Sequence, residues 1–277
     1  MGKFILSFKR KGTITPEHPE SPITPSESDL VALGILPKQI SEFTNADIGT
    51  EISIPYTDAG GVISGPIVFE VVGVNHHTNS DYDQTITLMT KNLIRTAAFD
   101  AKEPSNPLFD ETDGENMRAA YGNNRWSISN IRQWLNSSGA ANSWFTKQHE
   151  YDAAPDTGNV DYNAVGAYAD KPGFLAGFSI DVLQHFTNIT NTTALCNADG
   201  GGSETTIDKV FLASCTEMGY GNNNGIAEGT HLSIKYPDTN SRIKSGTEYN
   251  YYWMRSSDVD SSYTVKLVNN NSFSGHR

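Results

Sequence analysis

Any chemistry this chain performs has to come from its histidines, cysteines and carboxylates. His76 and His77 precede Asp81 and Asp83 in "NHHTNSDYD", a mixture of imidazoles and carboxylates of the kind that binds zinc. Adjacent residues of an extended strand point to opposite faces, however, so the two histidines make a poor joint site and read as turn residues. Asp258 and Asp260 in "SSDVDSS" could offer oxygens to calcium, but the later glycine and glutamate that complete an EF-hand loop are missing. Asp110, Glu111, Asp113 and Glu115 in "FDETDGENM" form an acidic run of the kind that usually lies on a solvated face. No metal site is expected.

The cysteines are two, Cys196 and Cys215, too few for a disulfide scaffold or a four-thiolate zinc centre. They read as two buried free thiols, with a single bridge as the alternative. Cys215 opens "SCTE" at a predicted helix start, a position that favours a thiolate. The sequence holds no GxGxxG after a strand, no GxxxxGK[ST], no HExxH and no GxSxG. A non-enzymatic protein without cofactors is expected.

The elements that must position these residues are irregular. A formal net charge of -12 leaves no basic stripe for phosphates, so nucleic acid is not an expected partner. With 24 glycines and 37% hydrophobic residues, the composition predicts an α+β domain with short helices, small antiparallel sheets and long ordered loops. The start, "MGKFILSFKRKG", has an apolar run too short for a signal peptide or a membrane span, so neither export nor membrane insertion is expected. "RKGTITPEHPESPITPSESD" is rich in Pro, Ser, Thr and Glu, and residues 1–29 read as an extended arm or tether. Residues 30–64 form a lead-in segment, and residues 65–277 form the domain proper.

Within the domain, Ile67 to Val74 and Ile86 to Met89 predict a β-hairpin. In "NNRWSISNIRQWLNSSG", Ser127 is the expected cap of a helix whose inner face carries Ile128, Ile131, Trp134 and Leu135. "GFSIDVLQHF" predicts a second helix, capped by Ser179, with Ile180, Leu183 and Phe186 inward. Ser214 and Glu217 have the spacing of a capping box directly after "KVFLA", with Gly219 closing that short helix. The tail "YNYYWMRSSDVDSSYTVKLVNNNSFSGHR" reads as strand, polar loop, strand and turn.

Taken in order, "ITLMTKNLI", "NNRWSISNIRQWLNS", "SWF", "GFLAGFS", "KVFLASCTEMG" and "YYWMRS" resemble a family of uncharacterised domains of Gram-positive bacteria and their phages. The resemblance runs from about Gly65 to the end. That family is similar to a variant of the C-type-lectin-like fold, in the branch of formylglycine-generating enzymes and the receptor-binding proteins of phage diversity-generating retroelements. It implies scaffold roles for Trp126, Ile131, Trp134, Leu135, Phe211, Leu212 and Glu217, with Trp253 and Arg255 beginning the terminal hairpin. Arg125 or Arg132 would anchor loops. The family usually continues into a closing strand with a Gly-Val-Arg-Pro-like sequence, where this chain has "NSFSGHR".

The retroelement likeness implies that the terminal hairpin and its loops form a variable binding face. Tyr gives contact area at low entropic cost while Ser and Asn adapt their hydrogen bonds, so the tail also suits a binding surface physically. The ligand-binding residues expected on this basis are Tyr251, Trp253, Arg255, Asp258, Asp260, Tyr263, Asn269 and Asn270. The expected function is that of a phage or phage-like virion surface protein, probing a host-surface glycan or protein. It would be made in the host cytoplasm, be assembled as a homo-oligomer, and contact other virion proteins through its arm. A purely structural decoration subunit is the alternative, and an enzyme of the formylglycine-generating type, using Cys196 and Cys215, is a third.

Overall fold

The computed structural model describes residues 3–10, 27–58, 63, 65–77, 84–110, 112, 114–160, 166–234, 251–268 and 274–276. Among these, three antiparallel sheets carry the strands. The largest is five-stranded, in the order β2 (Glu51–Ile54), β3 (Ile67–Val74), β4 (Gln84–Thr90), β1 (Phe4–Arg10) and β7 (Val210–Leu212). A three-stranded sheet holds β8 (Tyr252–Ser257), β9 (Val265–Val268) and β10 (Ser274–His276), and β5 (Ile189–Ala194) pairs with β6 (Ser203–Asp208). The helices are short: α1 (Glu27–Ala32), α2 (Arg118–Tyr121), α3 (Asn130–Leu135) and α4 (Ile180–Leu183), with several 3-10 turns. This is a mixed α and β architecture of few short helices and small antiparallel sheets. No helix among the described residues is long and apolar enough to cross a membrane.

The extended arm expected over residues 1–29 is corrected at its start. Residues 4–10 form the inner strand β1, antiparallel to β4 on one side and to β7 on the other. The apolar run that is too short for a signal peptide is long enough for a strand, and Phe4, Ile5, Leu6 and Phe8 are wholly buried. The proline-rich residues 11–26 lie outside the described residues. The lead-in segment is no separate unit either, because β2 extends the same sheet, and Leu30, Ile40, Ile52 and Ile54 are part of the same core.

The predicted hairpin forms as β3 and β4, with a bulge between Val71 and Gly73. The helix of the tryptophan block begins later than expected. Trp126–Ile128 is a 3-10 turn, and the cap of α3 is Ser129, whose Oγ accepts from the Arg132 amide at 3.4 Å. Ile131, Trp134 and Leu135 do point into the core. In α4 the inward face is carried by Val182, with Phe186 beyond it, while Ile180 is 73% exposed and Ser179 makes no side-chain cap. The expected helix after β7 is a hydrogen-bonded turn, although Ser214 and Glu217 do exchange the two bonds of a capping box.

Between the sheets the chain runs in long loops, and buried loop backbone must find hydrogen bonds from side chains. Asp100 accepts from the amides of Asn123 (3.0 Å) and Asn130 (2.9 Å), and Asn130 Oδ1 accepts from the Ala101 amide at 2.8 Å. The indole N–H groups are satisfied in the same way. Trp126 donates to Asp208, Trp134 to the Pro172 carbonyl, Trp144 to that of Lys171 and Trp253 to that of Ala97.

Candidate functional site

The loop between β8 and β9 is held as a fixed surface. Asn124 Nδ2 donates to the carbonyls of Asp258 (3.2 Å), Ser261 (2.6 Å) and Thr264 (2.9 Å), so one amide group closes the whole turn. Asp258 pairs with Lys266 at 2.6 Å, and Asn197 donates to Asp260 at 3.1 Å. Tyr263 stacks on Tyr121, with ring centroids 5.2 Å apart and planes 25° apart, and its hydroxyl donates to the Gly114 carbonyl at 3.1 Å. Asp260 is exposed, and Asp258, Tyr263, Tyr121 and Tyr251 are half-buried. These residues offer two parallel rings with carboxylates beside them, on a loop whose backbone bonds are already made.

The structure does not bring all the sequence-chosen residues to that face. Trp253 and Arg255 are corrected: both are interior, at 7% and 1% exposure. They lie on β8, all six of whose residues are buried. Asn269 and Asn270 lie outside the described residues, as do Asp81, Asp83, Glu111 and Asp113. Asp110 is spent on a local turn, accepting from the Thr112 amide at 2.8 Å. What the sequence missed on this face are Tyr121, Asn124 and Asn197, which come from other loops; Asn124 stands in the tryptophan block, but nothing local marks it as the clasp of a turn far along the chain.

Beneath the hairpin lies a buried polar cluster centred on Arg255 and Glu217. Arg255 Nη1 donates to Glu217 Oε2 at 2.6 Å and Nη2 to Oε1 at 3.0 Å, a bidentate pair with both side chains 1% exposed. Arg255 also donates to the carbonyls of Leu212 and Glu228. Burial alone pushes the Glu217 carboxyl up, but the Arg255 guanidinium, the nearby His77 imidazole and the bonds from Arg255 outweigh it and hold the group at about 2. Glu228 is nearby; its Oε2 accepts from Ser256 Oγ and its Oε1 from the Ala194 amide, while burial pushes its carboxyl up.

His76 and His77 join this cluster, which corrects the expectation that they point apart. They follow the end of β3, where Asn75 takes a left-handed φ of 54°, so the strand alternation no longer applies. Their rings meet edge to face at 4.5 Å. His77 Nε2 lies 3.6 Å from Glu217 Oε1, and its Nδ1 lies 3.1 Å from Thr87 Oγ1 and 3.3 Å from Ser7 Oγ. Burial, then the neighbouring His77, pull His76 down to about 4. His76, His77 and Glu217 are the one group of three metal-type donors gathered within 4.8 Å among the described residues.

The cysteines are both buried and unpaired. Burial pushes Cys215 up to about 12 and Cys196 up to about 11, and the Cys196 thiol donates to Asp199 at 3.2 Å. Neither has the electropositive, accessible surroundings of a reactive thiolate. A cavity of about 200 Å³ elsewhere is lined by Tyr56, Asp58, Arg95, Pro172 and Gly177 among others. Arg95 is 5% exposed there, lies over the Trp134 ring at 5.2 Å, and has no hydrogen-bond partner for Nε among the described residues.

A family model described as a domain of unknown function (DUF6273) matches residues 83–276. No curated protein and no solved structure matches the chain.

Proposed function

We propose that this chain, which belongs to the DUF6273 family, is a non-enzymatic surface protein of a phage or phage-like particle that binds a host-surface glycan or protein through the β8–β9 loop and its neighbours. The observation that carries this reading is the clasp of Asn124 on three carbonyls of that loop, beside the stacked Tyr121 and Tyr263. A surface whose turn is already bonded loses little entropy on binding, and paired aromatic faces flanked by carboxylates suit sugar rings and their hydroxyls. The C-type-lectin-like arrangement implied by the sequence motifs belongs to the same proposal, as do the homo-oligomer and the virion location.

Attachment to other virion proteins falls to residues 11–26, since residues 4–10 are committed to the central sheet. The test is binding of the purified chain to candidate host cells, against a variant carrying Tyr121→Ala, Asp260→Ala and Tyr263→Ala. Saturable binding that this variant loses while keeping its near-ultraviolet circular dichroism supports the proposal. Equal binding by both proteins refutes the assigned face. Absence of binding by either, with incorporation into particles intact, moves the assignment to a structural decoration subunit.

A further inference from the structure

We propose that His76, His77 and Glu217, with His231 as a fourth donor, bind a divalent first-row transition metal, zinc above all. The donor atoms of His76, His77 and Glu217 lie within 4.8 Å of one another, His231 is next to Leu232, whose amide donates to the Glu217 carbonyl at 3.0 Å, and His77 Nε2 stands 3.6 Å from Glu217 Oε1. That separation is long for a hydrogen bond but close to the edge of a tetrahedral zinc shell, about 3.4 Å for bonds of about 2.0–2.1 Å. His76 closes the remaining gap by a small swing of its ring. Two imidazoles and a carboxylate select zinc and its neighbours over calcium or magnesium, which prefer all-oxygen shells.

The surrounding groups hold these donors as ligands are held. A metal-bound histidine normally has its other ring nitrogen fixed by a hydrogen bond, and His77 Nδ1 is fixed by Thr87 and Ser7 on two adjacent strands. Glu217 is oriented by Arg255 and by the Ser214 amide. Each of its oxygens carries two lone pairs, so Oε1 can accept from Arg255 and still face a metal. Arg255 also places a positive charge beside the ion, which weakens binding; Glu228, Ser256-bonded and buried beside Arg255, offsets it.

The backbone has made room for the donors at three separate places. A Cβ at Gly73 would lie 2.6 Å from the His76 Cβ, one at Gly219 would lie 2.6 Å from His231 Nε2, and one at Gly229 would lie 3.1 Å from Glu217 Oε1. The β-bulge beside Gly73 and the left-handed Asn75 return His76 over its own strand, where a regular strand would have sent it away. His231 is exposed, so the site has an opening through which an ion can enter.

The experiment uses the full chain, stripped with a chelator and titrated with Co(II), then with Zn(II) in competition with a chromogenic chelator. One equivalent of Co(II) giving the intense visible bands of tetrahedral coordination, displaced by one equivalent of zinc, is expected. His76→Ala and His231→Ala should each weaken zinc binding at least tenfold. Both residues are outside the tightly buried pair, so these variants fold even where a Glu217 variant does not, and circular dichroism checks that they do. Binding that is absent, or equally tight in a folded His76→Ala, His231→Ala double variant, overturns the proposal.

Discussion

Glu217→Gln is the most informative single substitution, because it removes the charge around which the buried cluster is built. Glu217 titrates at about 2 in the folded chain against 4.5 for an unperturbed glutamate. The difference, 4.5 − 2, is worth roughly 3 kcal/mol. Because the folded value is depressed, this stability is fully present above pH 4.5 and is lost as the pH falls through 2. At pH 7 the Gln variant should therefore be less stable by about 3 kcal/mol, a figure that already contains the loss of Arg255's counter-charge. At pH 3 the gap should narrow to about 1 kcal/mol, since the unfolded glutamate is by then protonated while the folded one is not. Urea unfolding followed by tryptophan fluorescence, at steps from pH 7 to pH 3 with chelator present, measures both curves. His76, held down at about 4, lowers the stability of both proteins as the pH falls from 6.5 to 4, and more so in the Gln variant, where the Glu217 charge no longer holds its imidazole up. A gap that stays constant across this range, or one below about 1 kcal/mol at pH 7, refutes the assignment of an ionised, paired carboxylate.

Asn124→Ala should cost about 1–2 kcal/mol and raise hydrogen exchange in residues 258–264 selectively, because it removes the side-chain donor from the Asp258 and Ser261 carbonyls while Thr264 keeps the Asp258 amide; uniform exchange would contradict the clasp. Cys196 and Cys215, pushed up to about 11 and about 12, should resist alkylation at pH 8 in the native chain and react at once in denaturant, and rapid native labelling of either would refute its burial. Arg95→Met should cost about 1–2 kcal/mol, since it removes the cation that lies over the Trp134 ring and faces the Asp58 carboxylate; unchanged or higher stability by calorimetry would mean that these contacts do not offset its burial. A segment starting at residue 83 should fail to unfold cooperatively, because β4 loses both neighbouring strands and β7 loses β1.

Local signals in the sequence located the elements whose partners are close in the chain. The β3–β4 hairpin, the buried face of α3 and the Ser214 and Glu217 exchange all rest on contacts within a few residues or across one turn. β1 is illegible because its partners, β4 and β7, lie far along the chain, and four apolar residues interrupted by Ser7 and followed by Lys9 and Arg10 carry no local mark of a strand. His76 and His77 were misjudged through the period-2 rule, which fails at a bulge followed by a left-handed asparagine. Trp253 and Arg255 show a different difficulty. The residue types that anchor binding surfaces also fill cores, and only the capping-box glutamate 38 residues away makes Arg255 an interior cation. The acidic residues of the tail rest on the likeness of the hairpin to a variable binding face, and what makes Asp258 and Asp260 part of an ordered surface is Asn124, Lys266 and Asn197.

The boundary of the matched family segment is not a boundary of the fold. Residues 83–276 include β4, β7 and β8, but the strand between β4 and β7 comes from residues 4–10, and Ser7 of that strand reaches the same imidazole that faces Glu217. The cluster therefore ties the two parts together through its least exchangeable groups: Ser7 and His77 from one part, Thr87, Glu217 and Arg255 from the other. Buried ionic groups are costly unless every member is satisfied, so a chain that keeps Arg255 and Glu217 at 1% exposure must also keep the strands that cover them. Arg255 does this on β8, two residues before the strand ends at Ser257 and the loop that Asn124 clasps begins. The proposed binding face stands on the three-stranded sheet, and it is joined to the five-stranded sheet that carries the histidines through Arg255, whose side chain pairs with Glu217 and whose amide donates to the Ala213 carbonyl at 2.9 Å.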